Sequence, residues 1–266
     1  MKTENTDQTE NTESIIEDST KKTPRVPVIE INNLYKSFGT LDVLKNLSLK
    51  LYEGENLVVL GKSGSGKSVL IKCIVGLLNS DSGTINVFNQ NMMELKRSEI
   101  DEVRQKIGFL FQSGALYDSM TVRENLEFPL KRMKNHLNQI EIDEKILEAL
   151  ENVGLPDVIN KMPSQLSGGM RKRISLARTI VVDPRIILYD EPTTGLDPVT
   201  SDEISLLIND VQKKYKTSSI IITHDIECAR LTADRLIMIQ NGVTYKEGTL
   251  NSFEKSTDAI IKSFFK

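Results

Sequence analysis

Two apolar rhythms run along the chain from Val28 onward. Val28–Ile31 and Leu47–Leu51 alternate apolar and polar positions, the period of strands buried on one face. Leu57–Leu60, Ile107–Phe111 and Ile186–Tyr189 are unbroken apolar runs, which predicts strands covered on both faces. Thr84–Phe88 and Ser219–Thr223 predict two more strands, the second of them buried. Helical spacing marks Lys67–Leu78, Arg171–Val182 and Asp202–Lys213. Residues 121–160 are mostly helical in pattern. There Ile146, Leu147, Leu150 and Val153 share one face, ringed by Glu144, Lys145, Glu148 and Glu151. Asn241-Gly242 lies between Arg235–Gln240 and Val243–Lys246, a strong hairpin signal. Ser256–Phe265 is amphipathic and predicts a short C-terminal helix within residues 251–266.

Buried strands that alternate with helices predict an α/β domain over residues 27–250, with a mainly parallel core sheet. The early alternating strands predict an antiparallel β subdomain attached to it. Between about residues 113 and 165 only helices are expected, which predicts a helical subdomain. Residues 1–26 differ from all of this. They carry Glu4, Asp7, Glu10, Glu13, Glu17 and Asp18, few apolar groups, and threonine at Thr3, Thr6, Thr9 and Thr12. Such a segment cannot offset its ordering entropy by burial, so it reads as a disordered acidic tail.

Composition narrows the function classes. The 266 residues are 39% hydrophobic and 27% charged, with a net charge of −3. That balance argues against a nucleic-acid binder, which should carry a basic surplus. No apolar run approaches the ~18 residues of a membrane span. The polar N-terminus has no signal-peptide core, so a cytosolic protein is expected. Cys73 and Cys228 form no CxxC pair and read as reduced core thiols. A membrane channel, a secreted disulfide domain and a collagen-like chain are excluded.

The chemistry begins at Gly61-Lys62-Ser63-Gly64-Ser65-Gly66-Lys67-Ser68, which fits G-x-x-x-x-G-K-[ST] between a buried strand and a helix. Glycines let backbone N–H groups turn toward phosphates, and the helix start adds partial positive charge. In this pattern Lys67 reaches the β- and γ-phosphates, and the Ser68 hydroxyl can ligate Mg²⁺. Ile186–Tyr189 then runs into Asp190-Glu191, which puts two acids at the carboxyl edge of the sheet. Asp190 suits the Mg²⁺ shell, and Glu191 suits a general base facing the attacking water.

Leu166-Ser167-Gly168-Gly169 opens a second anion-binding helix start. One chain thus holds two phosphate sites, although the first loop already supplies a full cradle. The run Arg171-Lys172-Arg173 lacks interleaved aromatics and reads as a solvated helix face. His136, in a polar stretch, is given no role.

Together these motifs resemble the ATP-binding subunit of ABC transporters, over residues 28–250. The resemblance implies a P-loop NTPase fold of ABC type that binds ATP and Mg²⁺. Leu166–Gly169 matches the signature motif, so Ser167, Gly168 and Gly169 are implied ATP contacts. Gln112 stands at the Q-loop position, with an implied place in catalysis and in the Mg²⁺ shell. Thr194-Gly195-Leu196-Asp197 matches the D-loop, which brings Asp197 to the nucleotide. His224 matches the switch histidine at the γ-phosphate. Phe38 stands where the family places an adenine-stacking aromatic, with Tyr35 as the nearby alternative.

The resemblance also explains the two phosphate sites. Two such subunits form a head-to-tail homodimer, with each ATP between one chain's phosphate loop and the partner's signature helix. Met170 departs from the common signature, which has glutamine. Met170, Phe111–Val122, Leu166–Arg173 and Tyr189–Pro198 resemble the Mce-associated (Mla-type) phospholipid transport ATPases. This implies an integral membrane permease, an Mce-domain lipid-binding subunit and a small STAS-domain protein as partners. It also implies a peripheral place on the inner face of the cell membrane. The segment 113–121, with Leu116, Tyr117 and Met120, is the expected permease-docking surface, with inward packing as the alternative. A lipoprotein or other hydrophobic cargo, and a soluble cluster-assembly ATPase, remain as alternatives.

Overall fold

The strands sort into two sheets according to the patterns their residues carry. The structure, a computed structural model, describes residues 25–134 and 137–265. The expected acidic tail lies outside the described residues except for its last two, and so does His136. β1 (Pro27–Phe38), β2 (Leu41–Tyr52), β4 (Ser82–Val87) and β5 (Gln90–Asn91) form an antiparallel sheet in the order β2-β1-β4-β5. β3 (Asn56–Leu60), β6 (Ile107–Leu110), β7 (Ile186–Asp190), β8 (Ser218–Thr223), β9 (Arg235–Gln240) and β10 (Val243–Gly248) form the second sheet, ordered β10-β9-β3-β8-β7-β6. All its pairings are parallel except β9 with β10. That pair turns at Asn241 and Gly242, with φ of 51° and 81°, the left-handed geometry a two-residue hairpin needs.

The core sheet is covered on both faces, which explains its unbroken apolar runs. Leu57 and Val59 of β3 point into a core shared with the antiparallel sheet and with α1 (Lys67–Ile74). Val58 and Leu60 point the other way, into a core with α3 (Val122–Met133), α4 (Gln139–Asn152), α5 (Gly168–Ile180) and α6 (Pro198–Tyr215). Over residues 113–165 the described elements are α3, α4 and two single 3₁₀ turns, Pro156–Val158 and Pro163–Gln165.

Several expectations need correction. The first helix stops at Ile74 rather than Leu78, because Gly76 takes a left-handed φ of 68°. Leu147 is exposed; the buried face of α4 is Ile142, Ile146, Ala149 and Leu150, joined by Val153 beyond its end. The C-terminal stretch is two short helices, α8 (Leu250–Glu254) and α9 (Ala259–Phe264). Asp258 breaks them apart by accepting from the amides of Ile260 and Ile261, a new N-cap. Phe253 and Ile261 sit in the main core, so this end belongs to the same packed body. Two helices were not expected. α2 (Arg97–Arg104) buries only Val103, so it shows no apolar stripe. α7 (Ile226–Thr232) is seven residues long.

Candidate functional site

β3, β8 and β7 are neighbours and run parallel, so their carboxyl ends lie side by side. The residues that follow them are the phosphate loop, His224 and the acid pair. Topology alone therefore gathers residues separated by more than a hundred positions.

The loop is built for close approach. A Cβ on Gly61 would lie 2.5 Å from the Ser65 Oγ and 2.8 Å from the Ile239 carbonyl. Gly66 holds φ of 100° at the start of α1, and a Cβ there would lie 2.8 Å from Leu44. Only glycine fits both constraints. Lys67 is 6% exposed and donates to the carbonyls of Gly61 (2.6 Å) and Lys62 (3.0 Å). Burial pushes its pKa down, and the charges of Glu191 and Asp190 oppose that shift. Among the described residues the buried Ser65 hydroxyl has no hydrogen-bond partner. Lys62, Ser63 and Gly64 are exposed along the loop.

The acids close the site. Ser68 Oγ donates to Asp190 Oδ1 at 3.2 Å. Burial raises the Asp190 pKa, and the Ser68 hydrogen bond works against it. Glu191 takes a left-handed φ of 50°, a strained conformation for a residue with a side chain. Its Oε2 lies 2.7 Å from His224 Nδ1 and accepts from Thr194 Oγ1 at 3.2 Å. Its Oε1 lies 3.8 Å from Lys67 Nζ. Thr193 Oγ1 donates to Asp225 Oδ2 at 2.9 Å. The Glu191 turn is thereby tied twice to the loop that carries His224.

Gln112 follows β6 and is exposed, and its backbone carbonyl accepts from Lys172 Nζ at 2.5 Å. Phe38 and Tyr35 are both exposed on the antiparallel hairpin, 47% and 42%, so exposure does not choose between them.

Ser167 and Gly168 lie elsewhere, at the exposed start of α5. Ser167 caps that helix by accepting from the Met170 amide at 3.2 Å. Asp197 caps α6, accepting from the Thr200 amide (3.0 Å) and hydroxyl (2.6 Å), and these bonds hold its pKa below the usual range. The two helix starts abut: a Cβ on Gly169 would lie 2.7 Å from Thr200 Cγ2. They share a cleft whose lining includes no residue of the phosphate loop.

The donor set suits a nucleotide with a hard cation. Ser68 and Asp190 offer two oxygens, and Mg²⁺ takes few protein ligands when phosphates supply the rest. Among the described residues no group of three or more His, Cys, Asp or Glu could hold a metal by itself.

Residues 44–194 match the family described as ABC transporter. The probable ribonucleotide transport ATP-binding protein mkl of Mycobacterium tuberculosis is 39% identical over 246 residues, which cover 92% of this chain and 68% of that protein. The chain belongs to the ABC transporter family.

Other members are comparably similar. The chloroplastic protein TRIGALACTOSYLDIACYLGLYCEROL 3 of Arabidopsis thaliana is 38% identical over 254 residues, 89% of this chain and 73% of that protein. The methionine import ATP-binding protein MetN of Clostridium tetani is 36% identical over 212 residues, 80% and 66%. The dimeric structure of the bacterial ABC transporter cassette MJ0796 superposes with a TM-score of 0.77 at 33% identity, over 84% of this chain and 98% of that one. The chain is thus an ATP-binding, ATP-hydrolysing cassette of a transporter, with the P-loop fold of ABC type.

Within this cassette, sequence reading left some groups out. The basic run at 171–173 is not a solvated face. Only Arg171 is exposed, Lys172 is buried, and Arg173 pairs with Glu203 at 2.8 Å. Asn125 is fully buried and holds the turn before α3. Its Oδ1 accepts from the Tyr117 amide at 2.8 Å, and its Nδ2 donates to the Tyr117, Met120 and Thr121 carbonyls. The start of α3 was readable, because Thr121 and Glu124 form a reciprocal capping box. In segment 113–121, Leu116 packs against the core, whereas Tyr117 is 41% exposed beside Phe128 and under Arg178. Inward packing thus holds for Leu116, and Tyr117 stays partly exposed.

Proposed function

We propose that this cassette works as a homodimer at the cytoplasmic face of a membrane permease and powers the movement of phospholipid. The observation that carries its catalytic part is one edge of the core sheet, beside three adjacent strand ends, where Ser68 bonds to Asp190, Glu191 bonds to His224 and Lys67 lies 3.8 Å from Glu191. On this reading, residues 61–68 cradle the ATP phosphates through backbone amides, and Lys67 turns from the loop carbonyls to the β- and γ-phosphates. Ser68, Asp190 and Gln112 would hold Mg²⁺, which offsets phosphate charge when bound. Glu191 takes the proton of the attacking water, and His224 fixes its carboxylate through the 2.7 Å contact. Phe38 stacks on the adenine. Ser167, Gly168, Gly169 and Asp197 act on the ATP held by the other copy. The exposure of Ser167, Gly168 and Asp197, and the separation of all four from the phosphate loop, favour that arrangement.

The lipid part rests on narrower support. The runs Phe111–Val122, Leu166–Arg173 and Tyr189–Pro198 resemble Mce-associated ATPases, and the plant relative bears a galactolipid name. Other relatives are named for ribonucleotide and methionine transport. Among the described residues no helix is long and apolar enough to cross a membrane. Affinity purification of the chain from membranes, with mass spectrometry of co-purified proteins and lipids, tests this reading. It predicts a permease, an Mce-domain protein and enriched phospholipid. A permease with a methionine or nucleotide receptor, and no lipid, would overturn the cargo. A STAS-domain partner would be seen in the same experiment.

A further inference from the structure

The site as proposed leaves one buried cation without a task. Lys172 is 7% exposed, yet among the described residues its ammonium donates only to main chain: to the Gln112 carbonyl at 2.5 Å and, more weakly, to the Glu191 carbonyl at 3.4 Å. Burying an ammonium costs several kcal/mol unless it is well partnered. Burial pushes the Lys172 pKa down, while the charges of Asp190 and Glu191 draw it back. An apolar side chain would fill the same space without that cost.

Its two partners are Gln112, two residues beyond β6, and Glu191 in the turn after β7, and Lys172 itself belongs to the helix that Ser167 caps. The same face of α5 carries two further contacts, at spacings of three. Gly114, with φ of 80°, lies so close to Ser175 that a Cβ there would be 2.6 Å from its Oγ. Arg178 donates to the Ala115 carbonyl at 2.6 Å and lies 4.6 Å from the Tyr117 ring centre. Residues 112–117 are thus laid along α5, with the buried ammonium at the end nearest the acids.

We propose that Lys172 is a positioning residue: by donating to the carbonyls of Gln112 and Glu191, it binds the 112–117 segment, the signature helix and the Glu191 turn into one unit. Displacement of any one of them is then carried to the others through direct hydrogen bonds. The inference rests on the proposed roles of Glu191 and Gln112.

The test uses the full chain with Mg-ATP and compares kcat, KM, nucleotide Kd, melting temperature and amide exchange. Lys172→Met should lower kcat by at least ~10-fold, the scale of one hydrogen bond from a charged donor. Its nucleotide Kd should stay within about twofold, because ground-state binding is not touched. The Gly114 amide, bonded to the Phe111 carbonyl at 2.9 Å, should lose exchange protection while the core strands keep theirs. Lys172→Arg should recover kcat to within about threefold. Arg178→Met, at the less buried end of the same contact, should repeat the pattern at ~3-fold and serves if Lys172→Met does not fold. Parental kcat and Gly114 protection in Lys172→Met, or in Arg178→Met where it stands in, would overturn the proposal. So would equal losses in the Met and Arg variants. Glu191→Gln separates the two possible failures. If it turns over normally, the site reading falls. If it is inactive while Lys172→Met is parental, only the positioning role falls.

Discussion

The two helix starts that we propose bind phosphate, those of α1 and α5, are built in opposite ways. At the start of α1, Lys67 is buried and answered by two carbonyls, Ser68 meets Asp190, and Glu191 meets His224. At the start of α5, Ser167 satisfies only its own helix, and Gly168 is exposed. The first is a cluster whose groups are positioned by one another. The second borders a cleft lined by no residue of the phosphate loop. That difference is what the proposed composite site between two copies requires.

The largest effect is expected on the first side. Glu191→Gln keeps the shape but cannot accept a proton, so turnover should fall ~10²–10⁴-fold. ATP binding should persist and trap a dimer, seen by gel filtration with Mg-ATP. Near-normal turnover would remove Glu191 as the base.

Ser167→Arg tests the other side. It should cut turnover by about 100-fold while one chain still binds nucleotide normally. Loss of binding by the single chain would mean that the signature acts within its own copy.

Lys67→Ala removes a charge-assisted phosphate contact and should weaken nucleotide binding by roughly 10–100-fold. This is the reverse of the Ser167→Arg pattern, and a binding assay separates them. Equal ATP affinity in variant and parent would contradict the phosphate-loop assignment.

The motifs behind these proposed assignments are legible because each is contiguous. A glycine loop, an acid pair after an apolar run and a histidine after a strand are read along the chain. What the sequence hid acts across it. Lys172 reaches a carbonyl sixty residues away, and nothing in Arg171-Lys172-Arg173 says which of the three is buried. Thr194 stands in a recognised motif, but its bond to Glu191 depends on the strained turn at that residue. The same holds for the fold. The core strands announced themselves by being covered on both faces. α2 did not, because a helix that buries only Val103 leaves no period to read. The single C-terminal helix failed at Asp258, whose capping bonds outweigh the amphipathic pattern running through it.

Two smaller effects concern the segment between the two helix starts. Asn125→Ala strips four hydrogen bonds from a fully buried position. It should destabilise the chain by ~2–3 kcal/mol, read as a lower midpoint in urea. An unchanged midpoint would show that the turn before α3 holds without it. Tyr117→Ala should leave basal turnover and melting temperature near parental and lower only permease-stimulated hydrolysis. A melting temperature several degrees lower, with the permease still bound, would place Tyr117 in the core.

The central claim is that catalysis needs one chain's phosphate loop and another chain's signature. Mixing Glu191→Gln chains with Ser167→Arg chains, before adding Mg-ATP, tests it most directly. Each variant alone is inactive for a different reason. A mixed head-to-tail dimer pairs the intact Lys67–Glu191 edge of the Ser167→Arg chain with the intact signature of the Glu191→Gln chain. Random pairing would make about one site in four complete, so the mixture should regain a comparable share of parental turnover. A mixture no more active than the average of its two components would contradict the account.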